Sequence, residues 1–179
     1  MLFRSICVRK HADGLCSGYL HNLKPGDNID AFIRPNPEFR PASGKAPVIL
    51  IGAGTGIGPL AGFTKHNAPH HPMYLYWGGR HPQSDFLYQN ELQDYLADKR
   101  LTKLSTAFSR TDDSAYVQDR INSDKEELRQ LIQDGAQILV CGGREMANGV
   151  RDAIDHIIAP LNVSVQTLKA EGRYREDVY

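Results

Sequence analysis

Short apolar runs that end at glycine recur along the chain, and their spacing constrains the fold more than any other feature. Residues 48–51 (VILI), 73–77 (MYLYW) and 138–141 (ILVC) are each followed directly by glycine. Two weaker runs are 101–108 and 163–168, and the second alternates apolar and polar residues as an edge strand does. Short runs with glycine boundaries are typical of buried parallel strands, so we expect five strands.

Helical periodicity fills the intervals between these runs. Apolar residues recur close to every 3.6 positions in 85–99, 116–133 and 146–158. Alternating strands and helices predict an α/β fold with a five-stranded, parallel, doubly wound sheet and right-handed crossovers. Ligands of such sheets bind beyond the carboxyl ends of the strands, so the glycines that follow the strands mark the expected binding site.

The first 46 residues have a different texture. Two short strand-like runs, 3–8 and 29–33, lie among turn-forming residues, and residues 35–47 hold four prolines. So few strands cannot bury a sheet on their own. We therefore expect two parts, residues 1–46 and residues 47–179, of which the second carries the sheet.

Composition limits the classes of function. The chain has 21 basic and 21 acidic residues, and this zero net charge argues against broad electrostatic binding to nucleic acid or anionic lipid. No apolar run approaches the ~20 residues that cross a bilayer, and residues 1–4 are too short for the core of a signal peptide. The three cysteines are scattered and form no zinc or redox pair, which favours a reducing, cytoplasmic location. The proline-bounded histidines 66, 70 and 71 align with no further ligand, so we predict no metal site.

The glycine-rich stretch 52–59 (GAGTGIGP) has the composition of a phosphate cradle. Glycines let backbone N–H groups approach a ligand, and a following helix adds partial positive charge. The dinucleotide fingerprint G-x-G-x-x-G is not met, because Ile57 and Pro59 occupy the position of its third glycine in the two registers. The alternative is a glycine-rich turn that only packs a helix against a strand.

Basic residues follow the second and third runs. Arg80 stands where an acidic residue would bind the ribose hydroxyls of NAD, and Ser109 with Arg110 ends the third run. Serine and arginine can hold a phosphate dianion through charge-assisted hydrogen bonds. One such arginine is commonly a solvated loop charge. Two at successive strand ends, with Tyr116 just beyond, favour an NADP-type nucleotide.

Cys141 and the C-terminal tail each leave two interpretations open. Cys141 ends the fourth run, where it is either a small buried residue or a thiol that faces the ligand. Residues 171–179 are charged and include two tyrosines. They are expected either to fray or to place Tyr179 against a flat cofactor ring.

Seven short strings occur in a characteristic order. They are 52–59 (GAGTGIGP), 76–80 (YWGGR), 85–88 (DFLY), 107–110 (AFSR), 116–118 (YVQ), 141–142 (CG) and 173–179 (RYREDVY). The series resembles the C-terminal portion of ferredoxin–NADP⁺ reductase-like flavoproteins, most of all the diflavin branch with NADPH–cytochrome P450 reductase and the flavoprotein subunit of sulfite reductase. The resemblance covers essentially the whole chain. It implies an NADP-binding domain over 47–179, preceded in 1–46 by the remnant of an antiparallel FAD-binding β-barrel.

The resemblance implies a set of NADPH-binding residues. The loop of Gly54, Thr55 and Gly56 would hold the pyrophosphate, with Thr55 near the nicotinamide ribose. The adenosine 2′-phosphate would be bound by Ser109, Arg110 and Tyr116. The remaining residues of the implied nucleotide site are Arg80, Gln118 and Gly142.

The resemblance also implies catalytic roles. Cys141 would lie beside the nicotinamide C4 and assist hydride transfer to the flavin N5, and Asp177 resembles the acidic partner in that step. Tyr179 resembles a terminal aromatic residue that covers the isoalloxazine. Because hydride transfer needs the two rings in contact, that aromatic must move before the nicotinamide can stack.

In the first part, Gly14, Cys16 and Ser17 resemble the small-residue turn and helix under the FAD pyrophosphate. Residues 32–41 resemble the last barrel strand and the crossing into the NADP domain. Three features depart from the family pattern. The Arg-x-Tyr-Ser flavin motif is absent, residues 111–115 (TDDSA) replace the usual lysine before the tyrosine, and Gly143 stands where the diflavin branch has aspartate.

The expected function is that of an NADPH-dependent flavoprotein reductase. It would pass hydride from NADPH to FAD and then electrons to an FMN, haem or iron–sulfur acceptor, in a flavodoxin-like domain or another protein. Membrane attachment is expected only through a segment outside this chain. One alternative is an NADP-binding module without redox turnover of its own. Another is a pyridine-nucleotide dehydrogenase that acts directly on a small substrate.

Overall fold

One sheet of five parallel strands organises the protein in the computed structural model, which describes residues 6–179. The strands are β1 (Val48–Ala53), β2 (Met73–Gly79), β3 (Lys103–Phe108), β4 (Gln137–Gly142) and β5 (Tyr174–Val178). The helices are α1 (Leu15–Asn22), α2 (Ile57–Lys65), α3 (Pro82–Asp85), α4 (Gln89–Ala97), α5 (Val117–Ser123), α6 (Lys125–Gln133), α7 (Arg144–Ile158) and α8 (Val165–Ala170). The predicted α/β class and parallel sheet are confirmed.

The strand order is β3-β2-β1-β4-β5, which places β1 and β4 side by side near the middle. Ile49 of β1 lies opposite Tyr74 of β2 on one side and Ile138 of β4 on the other. The chain moves outward from β1 through β2 to β3, then returns to the other side of β1 for β4. The order therefore reverses between β1 and β4, and a doubly wound sheet opens a crevice at such a point.

Helices cover both faces of the sheet. Alternate residues of β1 enter two different cores, Ile49 and Ile51 on the face of α5 to α8, and Val48 and Leu50 on the face of α2 and α4. All four side chains are fully or almost fully buried. Burial on both faces explains why β1 is a continuous apolar run rather than an alternating one.

Two of the predicted helices are each divided in the structure. The predicted helix 85–99 is interrupted at residues 86–88, where the backbone of Tyr88 is left-handed (φ 59°). The predicted helix 116–133 is divided at Asp124, whose carboxylate accepts a hydrogen bond from the Tyr76 hydroxyl at 2.9 Å. The third helix begins two residues before its predicted start, at Arg144. In α2, Pro59 is the third residue and lies within the first turn, where its missing N–H is tolerated.

The fifth strand comes from a different segment than predicted. Residues 163–168 were expected to form it, but Val165–Ala170 is helix α8, with Val165 and Leu168 buried three positions apart. The hydroxyl of Ser164 accepts a hydrogen bond from the Thr167 N–H at 3.2 Å and so caps this helix. The edge strand is Tyr174–Val178, so the prediction for 163–168 was wrong and the C-terminal tail is ordered in the sheet.

The part of the first region that the structure describes contains α1 and no strand. The predicted strands at 6–8 and 29–33 are therefore wrong, and residues 3–5 of the first run lie outside the described residues. Leu15 and Phe32 are exposed to 90% and 89%. The connection to β1 is anchored by Phe39, which is buried and lies 5.8 Å from the Phe63 ring.

Gly56 is predicted to be indispensable for the contact between the glycine turn and β4. Its φ of −58° suits any residue, but a Cβ atom there would lie 2.1 Å from the Cys141 carbonyl oxygen. The backbone fixes the position of that Cβ atom, and the carbonyl is itself part of the backbone, so neither can move aside easily. Gly56→Ala should therefore lower the free energy of unfolding by at least about 2 kcal/mol in urea denaturation.

The matched control is Gly62→Ala in α2, the helix that follows the turn. A Cβ atom at Gly62 would meet nothing within 4 Å, so alanine should stabilise the protein by up to about 1 kcal/mol. A similar loss of stability in both variants would contradict the close packing of the turn.

Candidate nucleotide-binding site

A cavity of about 1170 Å³ lies beyond the carboxyl ends of the strands, where ligands of parallel sheets bind. It is lined by the ends of β1 and β2, by the residues after β3, and by the first turns of α5 and α7. The residues nearest this volume are Ala53, Gly54, Thr55, Trp77–Arg80, Ser109, Ala115–Gln118, Gly143, Glu145, Met146 and Tyr179, with Cys7–Arg9, His11, Asp85 and Leu87 around the rim. The predicted residues Gly54, Thr55, Arg80, Ser109, Tyr116, Gln118 and Tyr179 thus line one cavity.

The glycine turn forms one wall of the cavity. Gly54–Gly56 is a single turn of 3₁₀ helix that leads directly into α2. Gly54 has a left-handed backbone (φ 55°), and a Cβ atom there would meet nothing within 4 Å, so its outer side is open. Gly56 on the inner side packs against the Cys141 carbonyl. The turn is thus held in place on the side of β4 and open on the side of the cavity. It also lies next to the N-terminus of a nine-residue helix, and an anion site needs both an open backbone and such a helix end.

The opposite wall is built by the ends of β2 and β3. The ladder continues beyond both strands, because the Ser109 N–H donates to the Gly79 carbonyl at 3.1 Å and the Arg110 N–H donates to the Arg80 carbonyl at 2.9 Å. Tyr116 precedes α5, and its N–H donates to the Asp119 carboxylate at 2.7 Å. These bonds hold Arg80, Ser109 and Arg110 on neighbouring strand ends and hold Tyr116 at the start of α5.

The two arginines differ in position. Arg80 lines the cavity and Arg110 does not, although both are exposed. Within residues 6–179 neither guanidinium forms an ion pair, whereas seven other arginine and lysine side chains do. A guanidinium without a carboxylate partner keeps its full charge available for an anionic ligand.

Cys141 and Asp177 are neighbours in the sheet, directly opposite each other in the β4–β5 register. The Cys141 side chain is only 4% exposed, packs in the core under α2 and does not line the cavity. Burial, together with the negative charge of Asp177, raises the pKa of the Cys141 thiol to about 12. The thiol is therefore neutral at physiological pH, while Asp177 is exposed.

Tyr179 closes one end of the cavity. Its N–H donates to the Gly142 carbonyl at 3.2 Å, which extends β5 by one residue. Its hydroxyl lies 2.6 Å from the Thr55 hydroxyl, so the last residue of the chain is hydrogen-bonded to the glycine turn. The side chain is 63% exposed and covers the turn from the solvent side.

The predicted flavin residues are not part of the cavity lining. Gly14, Cys16 and Ser17 are at the start of α1 and do not line it. The Ser17 hydroxyl is engaged within its own turn, since it accepts from the His11 N–H at 3.1 Å and donates to the Gly14 carbonyl at 3.2 Å.

Several lining residues were not predicted from the sequence. The rim at 7–11 has no motif that could reveal it. Asp85 and Leu87 belong to the DFLY string, which was recognised only as part of a series, and Glu145 and Met146 follow the Cys141-Gly142 string.

The histidines 66, 70 and 71 lie outside the lining, and in residues 6–179 no three His, Cys, Asp or Glu side chains are arranged to hold a metal ion. None of the three cysteines is paired. In the same described range, no helix has the length and apolarity to span a membrane.

Comparison with known proteins now identifies the family. The profile of the oxidoreductase NAD-binding domain matches residues 50–152, more than half of the chain. The chain belongs to this family. The matched range begins in β1 and extends into α7, so it includes the glycine turn, both arginines and Cys141.

Individual relatives point to one kind of flavoprotein. The chain is 38% identical over 182 residues to the sulfite reductase [NADPH] flavoprotein alpha-component of Sodalis glossinidius, 36% over 185 residues to that of Escherichia coli K12, and 34% over 181 residues to that of Bacillus subtilis 168. The alignments cover 93%, 96% and 93% of this chain, but the chain spans only about 30% of the length of these relatives. The predicted resemblance to the C-terminal portion of diflavin-type reductases is confirmed.

The raised pKa of Cys141 predicts a pH-dependent stability. The ordinary thiol pKa of 9.0 applies to the unfolded chain, whereas the folded value is about 12. Between these values only the unfolded chain ionises, so stability that is present below pH 9 is lost as the pH rises, by at most about 1.4 kcal/mol per pH unit.

Urea denaturation at pH 8, 9 and 10 measures this loss. Cys141→Ala lacks the thiol and serves as the control for the tyrosines that titrate in the same range. The free energy of unfolding should fall more steeply with pH in the unmodified protein than in the variant. Equal slopes would mean that the thiol is not buried as the structure indicates.

Proposed function

We propose that this chain forms the NADPH-binding part of an NADPH-dependent flavoprotein reductase. One observation carries the proposal: the open glycine turn at the end of β1 and the unpaired Arg80 guanidinium at the end of β2 line the same cavity. In a dinucleotide with a 2′-phosphate, the adenosine carries the pyrophosphate at one end and the 2′-phosphate at the other. The protein must therefore provide an anion site for each. The names of the relatives, which include NADPH and flavoprotein, agree with this assignment.

The residues present fit NADPH. Gly54 and Thr55, at the N-terminus of α2, would receive the pyrophosphate, because backbone N–H groups and the helix dipole favour negative charge there. Arg80, Ser109 and Tyr116 would hold the 2′-phosphate, with Gln118 beside them. NADPH bound there would supply a hydride, for which the flavin of a flavoprotein reductase would be the acceptor.

The residues near the β4 end would orient the nicotinamide and control its access. The Cys141 thiol stays protonated because burial raises its pKa, so its role would be that of a neutral, polarizable neighbour rather than a thiolate. Asp177 lies directly beside it in the sheet and would supply the nearby negative charge. Tyr179 would exclude water and competing molecules until it is displaced.

FAD binding is the less complete part of the proposal. The start of α1, with Gly14, Cys16 and Ser17, offers a helix N-terminus, but the Ser17 hydroxyl is already bonded within its turn. Large apolar side chains such as Leu15 and Phe32 are exposed in this region. Exposed apolar surface of this kind commonly marks an interface. We propose that residues 1–46 belong to the FAD-binding barrel and that the rest of the barrel covers them.

The electron acceptor is also a proposal. Electrons would pass from FAD to a flavodoxin-like FMN domain, a haem protein or an iron–sulfur protein. A cytoplasmic location is consistent with the unpaired cysteines.

A second candidate function is an NADP-binding module without redox turnover. It is favoured by the described part of residues 1–46, which forms one helix and no strand and so assembles no flavin pocket. Calorimetry on the chain with NADP⁺ and with FAD separates the two candidates. Binding of both nucleotides supports the reductase, NADP⁺ without FAD supports the module, and no binding of NADP⁺ would contradict both.

Arg80→Ala is predicted to weaken NADP⁺ selectively. Loss of a charge-assisted hydrogen bond to the 2′-phosphate should raise the dissociation constant of NADP⁺ roughly ten- to a hundredfold, while that of NAD⁺ should change little. Calorimetric titration of both nucleotides measures the ratio.

Arg110→Ala is the matched control, since Arg110 is an exposed arginine on the next strand end that does not line the cavity. We expect it to have the smaller effect on NADP⁺. If Arg80→Ala weakens NADP⁺ and NAD⁺ equally, Arg80 does not contact the 2′-phosphate.

Removal of Tyr179 is predicted to open the site. Tyr179→Phe keeps the ring but loses the hydrogen bond to Thr55, and deletion of the residue removes both. Because a hydrogen bond contributes about 0.5–1.5 kcal/mol, affinity for NADP⁺ should rise roughly two- to tenfold in Tyr179→Phe and further on deletion. Unchanged affinity after deletion would show that the tyrosine does not compete with the nucleotide.

A further inference from the structure

The single tryptophan of the chain lies directly beneath the glycine turn. Trp77 is in β2, two residues before its end, and it is fully buried at the floor of the cavity. An aliphatic residue would fill a sheet position as well. A buried indole additionally carries an N–H group, which must find an acceptor or incur the cost of desolvation.

The indole N–H donates to the Gly54 carbonyl at 3.2 Å, across 23 residues of sequence. The Ile57 N–H donates to the same carbonyl, so this oxygen is held from two sides. In a planar trans peptide the N–H points away from the carbonyl, so the direction of the Thr55 N–H is set as well. The turn is therefore fixed with that donor directed away from Trp77, before any ligand is bound.

The indole is itself held in place. Its ring stacks on Phe86, with centroids 5.5 Å apart and an interplanar angle of 13°, and it packs nearly perpendicular to Phe108, with centroids 6.0 Å apart. At Gly79 a Cβ atom would lie 2.8 Å from the ring, so the glycine leaves room for the six-membered part. A ring fixed by these contacts can hold the Gly54 carbonyl without losing further side-chain entropy.

We infer that Trp77 is a positioning residue for the nucleotide, which presets the glycine turn for the pyrophosphate through the hydrogen bond to Gly54. The inference rests on the proposed function. Trp77 does not contact the phosphate in this arrangement but acts through the turn. Its effect must accordingly be confined to ligands that occupy the turn, whereas a tryptophan that only fills the core would affect every ligand through general loss of order.

The experiment compares two ligands on the full chain by calorimetry. NADP⁺ carries the pyrophosphate, and adenosine 2′-monophosphate carries only the end that Arg80, Ser109 and Tyr116 would bind. Trp77→Phe keeps an aromatic ring but lacks the donor. We expect NADP⁺ to bind roughly three- to tenfold more weakly, with the affinity for adenosine 2′-monophosphate within about twofold of the original.

Phe86→Leu is the matched control, because it removes the stacking partner and keeps the indole N–H. It should lower the unfolding temperature, as Trp77→Phe does, but change the affinity ratio of the two ligands less than Trp77→Phe does, because the donor is retained. Since the chain has a single tryptophan, the residue can also be replaced by benzothienylalanine, in which sulfur replaces the N–H in the same shape. This variant keeps the packing and tests the donor even where Trp77→Phe fails to fold.

Equal losses for both ligands in the two Trp77 variants, or an unchanged affinity for NADP⁺, would overturn the inference and leave the proposed function intact. If the unmodified chain binds neither NADP⁺ nor adenosine 2′-monophosphate, this result would instead contradict the proposed function.

Discussion

Close packing of the glycine turn on the end of β4 is the contact on which the site depends. Gly56 leaves no room for a side chain above the Cys141 carbonyl, and a Cβ atom at Gly52 of β1 would lie 3.0 Å from the same oxygen. These contacts bring the N-terminus of α2 to the point between β1 and β4 where the strand order reverses. Three features require this position of the turn. Gly54 is open to the cavity, the Trp77 indole donates a hydrogen bond to the turn, and the Tyr179 hydroxyl is hydrogen-bonded to it.

The positive charge at the site is available because a basic side chain there has no acidic partner in the described part of the chain. Most of the ion pairs of the described chain lie on helices and at the sheet edge, as with Lys103 and Asp124 or Lys169 and Glu176. Exposed pairs of this kind contribute little to stability. Arg80 is left out of them, so a protein of zero net charge can still present an uncompensated cation to a phosphate. The proposed preference for NADPH therefore depends on the immediate neighbourhood rather than on the overall charge.

The central strands and the order of the site could be predicted from the sequence because burial on both faces requires continuous apolar runs, as in β1. The segment 163–168 was ambiguous, since V-S-V-Q-T-L suits an alternating strand and also places Val165 and Leu168 on one helical face. Ser164 decides the matter by capping the helix. The breaks at Tyr88 and Asp124 were not predictable, because each depends on tertiary contacts. The roles of the rim residues 7–11 were equally hidden, since only the folded chain brings them to the cavity.

The side chain of Gln137 joins three segments that are distant in sequence. Its carbonyl oxygen accepts from the Ala42 N–H at 2.8 Å, its amide lies 3.5 Å from the Gly172 carbonyl, and its own backbone N–H donates to Pro47. One residue at the start of β4 therefore ties the segment before β1 and the turn before β5 to the centre of the sheet. That turn leads into the strand that carries Asp177 and extends to Tyr179. The position of the residue that covers the glycine turn is thus set from the opposite end of the sheet, by a side chain that lies outside the cavity.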